Sequence, residues 1–464
     1  MKTAITWSLR LGFSNKQSIS IEKLGIKKFL EQSFETKIDT SLPDCLKNSP
    51  KTLAQLKDVR EKIKNATSEE QKKFLKSQIK DANQLRIWWL NKMKNEKFPL
   101  REKMTCFWHN HYVASIQKVK VNYWVYQHNM ILRENAFGNF RELTKKVIHT
   151  NAMVRYLDNT DNRKGNLNEN LSRELLELFT IGIGNYTEQD IKNGAKALAG
   201  LNLGEEEAIY RARLQDNDEI KYLGKTGKFK ANDLIDIIFE QKQTSYFLTE
   251  KLLKWFIYDN PPEEITHYYG DYFRQVDYEI QPLLIKIFTE EYEKNNTGSK
   301  IKDPLVFAFQ LLEELQIEMP SNIIIPFLKQ QGMELFNQPN VKGWIGGNHW
   351  LTSQIYLQRN NAIDFLINGQ NILGRRNKNL EMNSNEIRND IRKLKPNLVF
   401  NTDGNHQTII QELSDRLLFS VGDSIQKDME TILKYDFNPK SENAQTAVLR
   451  LFAYITKLPE FQLI

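Results

Sequence analysis

The run TSEEQKKFLKSQIKDANQLRIWWL, residues 67–90, decides the fold. Thr67 and Glu70 stand in the T-x-x-E pattern, in which the hydroxyl takes a free backbone N–H of the first helical turn and the glutamate reaches back to the cap residue. Behind them Phe74, Leu75, Gln78, Ile79, Ala82, Leu85, Trp88 and Trp89 recur at three- and four-residue spacing. All but Gln78 are apolar or aromatic. At about 3.6 residues per turn they make one stripe a little over four turns long, which predicts a long helix packed by one face. Pro99 ends it or opens the next.

The same period returns on both sides. Residues 21–34 carry Ile21, Leu24, Phe29, Leu30 and Phe34 at helical spacing. Further helices are predicted through Met104, Phe107, Trp108, His111 and Ser115, over 121–133, and behind an Asn139/Glu142 cap through Val147 and Ile148. Others follow over 171–179, behind a Thr187/Asp190 cap, over 234–256, 281–292 and 304–315, and from Gln407 onward. Brief extended segments are expected only in 208–221 and 323–326. Glycine and proline are scarce, 21 and 13 in 464 residues, which favours helices over turn-rich sheets. With no internal repeat and no Gly/Ser linker, the expectation is a mostly α protein. It is one large helical domain over 1–464 with long loops and few short strands; 376–464 is the one candidate subdomain. Residues 377–402, rich in Asn and Lys, read as a surface segment.

Net charge is +7. The densest basic stretch, 51–103, also carries Asp58, Glu61, Glu69, Glu70, Asp81, Glu96 and Glu102, so it reads as solvated helix surface, and nucleic acid is not an expected partner. Two cysteines, Cys45 and Cys106, make neither a disulfide framework nor a zinc motif. The opening residues lack the apolar run of a signal peptide, which gives a cytoplasmic expectation, or a periplasmic one if a longer natural N-terminus has been lost. No window nears 18 apolar residues, so no membrane span is expected. The phosphate-loop, dinucleotide, zincin and nucleophile-elbow patterns do not occur.

Three segments concentrate chemistry. Phe107-Trp108-His109-Asn110-His111-Tyr112 places two of only seven histidines within three residues. On a helix they point about 200° apart, and the plainer reading is a buried, hydrogen-bonded pair. In 168–179, Asn170, Glu174 and Glu177 stack at i, i+4, i+7; two carboxylates beside amides and Arg173 suit a hard cation or acid–base work. The plainer alternatives are an Arg173–Glu177 ion pair and a cap by Asn168 or Asn170. The Asp/Asn-rich loop before this helix lacks glycine at the sixth position of a calcium loop. Gln338 to Trp350 is a Pro/Gly loop with Lys342, Trp344, His349 and Trp350, either a ligand-stacking surface or a turn pinned by buried tryptophans.

Together these segments resemble the bacterial family called domain of unknown function 1800. The likeness is carried in order by Trp7-Ser8-Leu9-Arg10-Leu11-Gly12-Phe13, Arg101-Glu102-Lys103-Met104 with Phe107 to His111, Asn151-Ala152-Met153 and Tyr156-Leu157-Asp158. It continues through Asn168-Glu169-Asn170, Arg173-Glu174, Glu177-Leu178-Phe179-Thr180, Tyr186-Thr187-Glu188, Lys302-Asp303-Pro304, Pro339 to Trp344 and Pro459-Glu460-Phe461-Gln462. A His-Asp pair common in the family is missing before Lys221 and Leu223-Gly224. The resemblance implies a largely helical fold. Members are often exported and encoded beside sulfatase-like proteins, which implies envelope or polysaccharide work with such a neighbour or a glycan as partner.

The leading expectation is a hydrolytic or metal-dependent enzyme. Glu174, Glu177 and His109 are its catalytic candidates; Asn168, Asn170, Arg173, Lys342 and Trp344 bind; His109, His111 and Glu174 form a tentative divalent-metal set. The rival is a non-enzymatic binding or assembly module with a buried polar network and a tryptophan-rich ligand loop.

Overall fold

The computed structural model describes residues 2–294, 296–368 and 395–464. The proposed subdomain boundary at 376 and most of the Asn/Lys-rich segment 377–402 lie outside them. Helix accounts for 63% and strand for 4%, so helices build the core as expected. Among the described residues the strands are two antiparallel pairs, β1 (Leu201–Asn202) with β2 (Ile209–Tyr210) and β3 (Ile220–Tyr222) with β4 (Lys225–Gly227). Among the described residues no helix is long and apolar enough to cross a membrane.

The helices needed here are α1 (Lys2–Leu11), α2 (Leu53–Lys64), α3 (Ser68–Asn95), α4 (Leu100–His111), α5 (Asn122–Glu134) and α6 (Phe140–Ile148). They continue with α7 (Asn170–Glu174), α8 (Glu188–Leu198), α9 (Gln243–Phe256), α10 (Pro304–Glu314), α11 (His406–Leu417) and α12 (Ala444–Thr456). The capping signals hold: Thr67 with Glu70 and Thr187 with Asp190 close reciprocal boxes, and Asn139 accepts from the N–H groups of Arg141 and Glu142. One contiguous apolar core includes residues from α1, α4, α6, α9, α10, α11 and α12.

Three expectations are corrected. Helical spacing over 21–34 is broken at Gly25, whose φ of +76° is open to glycine and costly for other residues. The run over 323–326 is not extended but lies inside a helix, Ser321–Gln330. Its β-branched residues suggest strand, yet burying Ile324, Ile325 and Leu328 on one helical face outweighs that propensity and the helix-interior Pro326. In α3 the stripe packs only from Ala82 onward. Leu75 and Ile79 stay 60% and 61% exposed, because the core reaches only the second half of the helix.

That second half meets α4 and α5 at a buried ion pair. Glu102 receives both arms of Arg133, Nε to Oε1 at 2.8 Å and Nη2 to Oε2 at 2.9 Å, and Trp89 Nε1–H donates to the same Oε2 at 2.9 Å. Arg133 Nη1 donates to Asn129 Oδ1 at 2.7 Å. Burial alone pushes the Glu102 carboxyl up, but Arg133 and Trp89 outweigh it and hold it below its ordinary value. On the same helix Lys103 reaches Asp303 at 2.7 Å, and Asp303 caps α10 through the Val306 N–H.

Replacing Glu102 by Gln leaves Arg133 buried without its counter-charge. We expect a loss of about 3–5 kcal/mol in chemical denaturation, against less than about 0.5 kcal/mol for Leu75→Ser at its exposed position. Equal small losses for the two would show that this pair does not anchor the fold.

Candidate functional site

α4 delivers three consecutive polar side chains in three directions, about 100° apart. His109 points inward, fully buried among the rings of Trp89, His128 and Phe336, with Nδ1 3.5 Å from the Asn129 amide. Asn110 faces the tryptophan loop. Its Oδ1 accepts the Trp344 N–H at 2.6 Å and its amide donates to the Trp344 carbonyl at 3.2 Å. The loop backbone comes so close that a Cβ at Gly343, φ +79°, would stand 2.3 Å from Asn110 Oδ1. His111 points a third way, and its Nε2–H donates to the Phe179 carbonyl at 3.0 Å.

Phe179 belongs to a π-helical turn, Leu175–Thr180, that continues α7 directly. The expected regular helix over 171–179 therefore ends at Glu174 and widens. Ile181 N–H bonds back to Leu176, five residues earlier, and Gly182 N–H shares that carbonyl. A widened turn shifts carbonyls out of the i−4 register, so its last ones need other donors. Side chains from other helices supply them: buried His111 at Phe179, and half-buried Lys251 of α9, whose Nζ donates to Leu178 O at 2.7 Å and lies 3.3 Å from His111 Nδ1. With Nε2 carrying the proton, His111 Nδ1 is the acceptor for Lys251. Burial pulls Lys251 down to about 7, and burial, then Lys251, hold His111 well below its ordinary value.

The wide turn carries the two carboxylates. Glu174 is half-buried; its carboxyl is raised first by burial and then by the neighbouring Glu177 charge, with Arg173 and Lys342 opposing. Lys342, exposed on the tryptophan loop, is near enough for its charge to act on Glu174. The Tyr186 hydroxyl donates to Glu177 Oε2 at 3.0 Å, and burial and Glu177 push Tyr186 up to about 12. Glu174 also helps raise the buried Tyr156, after burial itself.

Other candidates fall elsewhere. Arg173 does not pair with Glu177. It forks onto Glu188 at 2.9 Å through both terminal nitrogens and reaches Glu169 at 3.2 Å, because the π turn carries Glu177 toward Tyr186. Neither Asn168 nor Asn170 is the cap residue, which is Glu169 without a side-chain bond; Asn168 Oδ1 accepts the Asn170 N–H at 3.0 Å just outside the helix, and the Asn170 side chain is exposed. The preceding loop hangs on buried Asn159 and Asn162. Asn162 donates to Asn159 and Ala195 and accepts from the Asn168 N–H. Trp344 and Trp350 are each 4% exposed, so they pin a rigid turn and offer no open stacking face. His109 makes no contact with the carboxylate pair. Among the described residues no three His, Cys, Asp or Glu side chains converge as a metal cluster, so His109, His111 and Glu174 are not brought together as one. Two shallow depressions, of about 570 and 430 Å³, are lined by none of these residues.

Sequence reasoning missed Tyr186, Lys251 and Asn110. Tyr186 stands in a Tyr-Thr-Glu motif that signals a helix cap and the family likeness but no role for the phenol; a lysine on a mixed helix surface gives no signal.

His109, His111 and His128 are all fully buried and depressed by burial, His128 to about 4. The native protein keeps them neutral while the unfolded chain protonates near 6.5. The unfolded state then binds more protons, so stability is full above about 6.5 and falls as pH drops toward 4. For His128 this amounts to about 3 kcal/mol. Denaturant melts across this window should show the fall, and His128→Asn should flatten part of it; a flat wild-type profile would contradict the burial of neutral imidazoles.

A family model described as protein of unknown function (DUF1800) matches residues 6–463. No curated protein and no solved structure matches the chain.

Proposed function

The chain belongs to the DUF1800 family, a family of unknown function, and from that premise we propose that it is a hydrolytic enzyme whose acid–base pair is Glu174 and Glu177. The observation that carries this reading is the unequal setting of two adjacent carboxylates. Glu174 is pushed toward its protonated form by burial and by Glu177, and Glu177 accepts the Tyr186 hydroxyl. Two carboxyl groups held in unlike environments are the usual means of keeping an acid and a base together near neutral pH.

In this scheme Glu174 gives its proton to the leaving-group oxygen, and Glu177 takes one from the attacking water. Lys342 meets negative charge on the substrate or forming on it. Asn168, at the mouth of α7, orients the ligand. The π turn supports the assignment, since such turns recur at functional sites. A sugar polymer of the cell envelope is the substrate class suggested by the family resemblance, with a sulfatase-like neighbour as companion. The second reading, a binding or assembly module, is favoured by the internal partners of His109 and His111 and by the enclosed tryptophans.

Chromogenic glycosides and sulfate, phosphate and carboxylate esters separate the two. The enzyme reading expects turnover of at least one, lowered about 10²–10⁴-fold by Glu174→Gln and by Glu177→Gln with melting unchanged. Its kcat/KM should fall as pH rises through the raised Glu174 value. Turnover that survives both substitutions would overturn the acid–base assignment, and none on any substrate would hand the case to the binding module.

A further inference from the structure

The first half of α3 is built unlike the rest of the molecule. No residue from Ser68 to Asp81 is buried, although the sequence there is a good amphipathic helix. Lys72, Leu75, Lys76 and Ile79 fall at i, i+3, i+4 and i+7 and share one face, flanked by Lys73 and Lys80. Leu75 and Ile79 are the two exposed large apolar side chains of α3, and the four lysines around them are all exposed.

The charge on this arm is real excess. Between residues 51 and 80 there are nine Lys and Arg side chains and four carboxylates, so most of the chain's net +7 sits on α2 and α3. Two of the carboxylates in 51–103 are engaged locally. Glu70 closes the helix cap with Thr67, and Glu102, further along, is buried against Arg133. Near the arm's base Arg60 lies close enough to Arg155 to help depress it, after burial itself, so positive potential extends onto the body.

We propose that this face of α3 docks on an anionic lipid surface, with Leu75 and Ile79 entering the headgroup boundary and Lys72, Lys73, Lys76 and Lys80 above it. A convex helix bearing apolar residues beside a lysine row fits a bilayer interface, where long lysine stems reach back to the phosphates. Directional, bidentate recognition of protein carboxylates favours arginine forks, and this face carries lysines only. The helix lies on the membrane and does not span it.

The test is co-sedimentation of the full chain with vesicles of phosphatidylcholine alone and of phosphatidylcholine with phosphatidylglycerol. The expected result is binding to the anionic vesicles only, weakened by salt. It should fall at least about tenfold both in Leu75→Ser/Ile79→Ser and in Lys72→Gln/Lys73→Gln/Lys76→Gln. Circular dichroism should show both variants folded, as their exposed positions require. Failure of the wild type to bind anionic vesicles would overturn the proposal, as would binding untouched by either set. Binding to polyglutamate as tight as to vesicles, and indifferent to Leu75 and Ile79, would replace the membrane by an acidic polypeptide partner.

Discussion

The hydrogen bonds that His111 and Lys251 make to the carbonyls of Phe179 and Leu178 hold the turn on which the candidate site is built. A π-helical turn is a poor structure by itself, because it gives up the compact register and leaves carbonyls facing apolar surroundings. Here two side chains from other helices, the buried His111 and the half-buried Lys251, satisfy those carbonyls. Glu174 and Glu177 inherit their placement from that arrangement. In a regular helix Glu177 would lie one turn beyond Arg173 and be neutralised by it. In the wide turn it meets Tyr186, and Arg173 is drawn off by Glu188.

α4 is the hub because three successive residues serve three neighbours. His109 faces the Glu102–Arg133 network, Asn110 fastens the tryptophan loop, and His111 props the π turn. Asn110 fixes the loop backbone at Trp344, two residues from Lys342, whose charge acts on Glu174. The site is therefore assembled from α4, α7, α9 and the 339–344 loop, segments far apart in the chain. The buried groups of this hub are mostly kept neutral or matched with a counter-charge, as low-dielectric surroundings demand. The exposed charge is gathered instead on α2 and α3.

Much of this was legible in the sequence wherever the signal was local. Capping pairs such as Thr67 with Glu70 marked helix starts, and spacing separated helix from strand along most of the chain. His109 and His111 stand out by scarcity, and both are buried, His111 with a backbone partner at Nε2 and His109 with its Nε2 unpartnered. Glu174 and Glu177 are candidates by type and spacing alone. What could not be read were effects of tertiary contact. Nothing local in Leu175–Thr180 announces a π turn, because its cause lies in His111 and Lys251. Leu75 and Ile79 extend a perfect stripe, yet periodicity does not say where the core ends. Ile323 to Ile325 look like strand until the face that buries Ile324 and Leu328 is known.

The most direct measurement is a carbon-detected titration of the Glu174 side-chain carboxyl, in the wild type and in Glu177→Gln. The account predicts a midpoint above the ordinary 4.5 in the wild type, which moves down when the Glu177 charge is removed. A Glu174 that titrates at or below 4.5 and ignores Glu177 would contradict the unequal carboxylate pair on which the account rests.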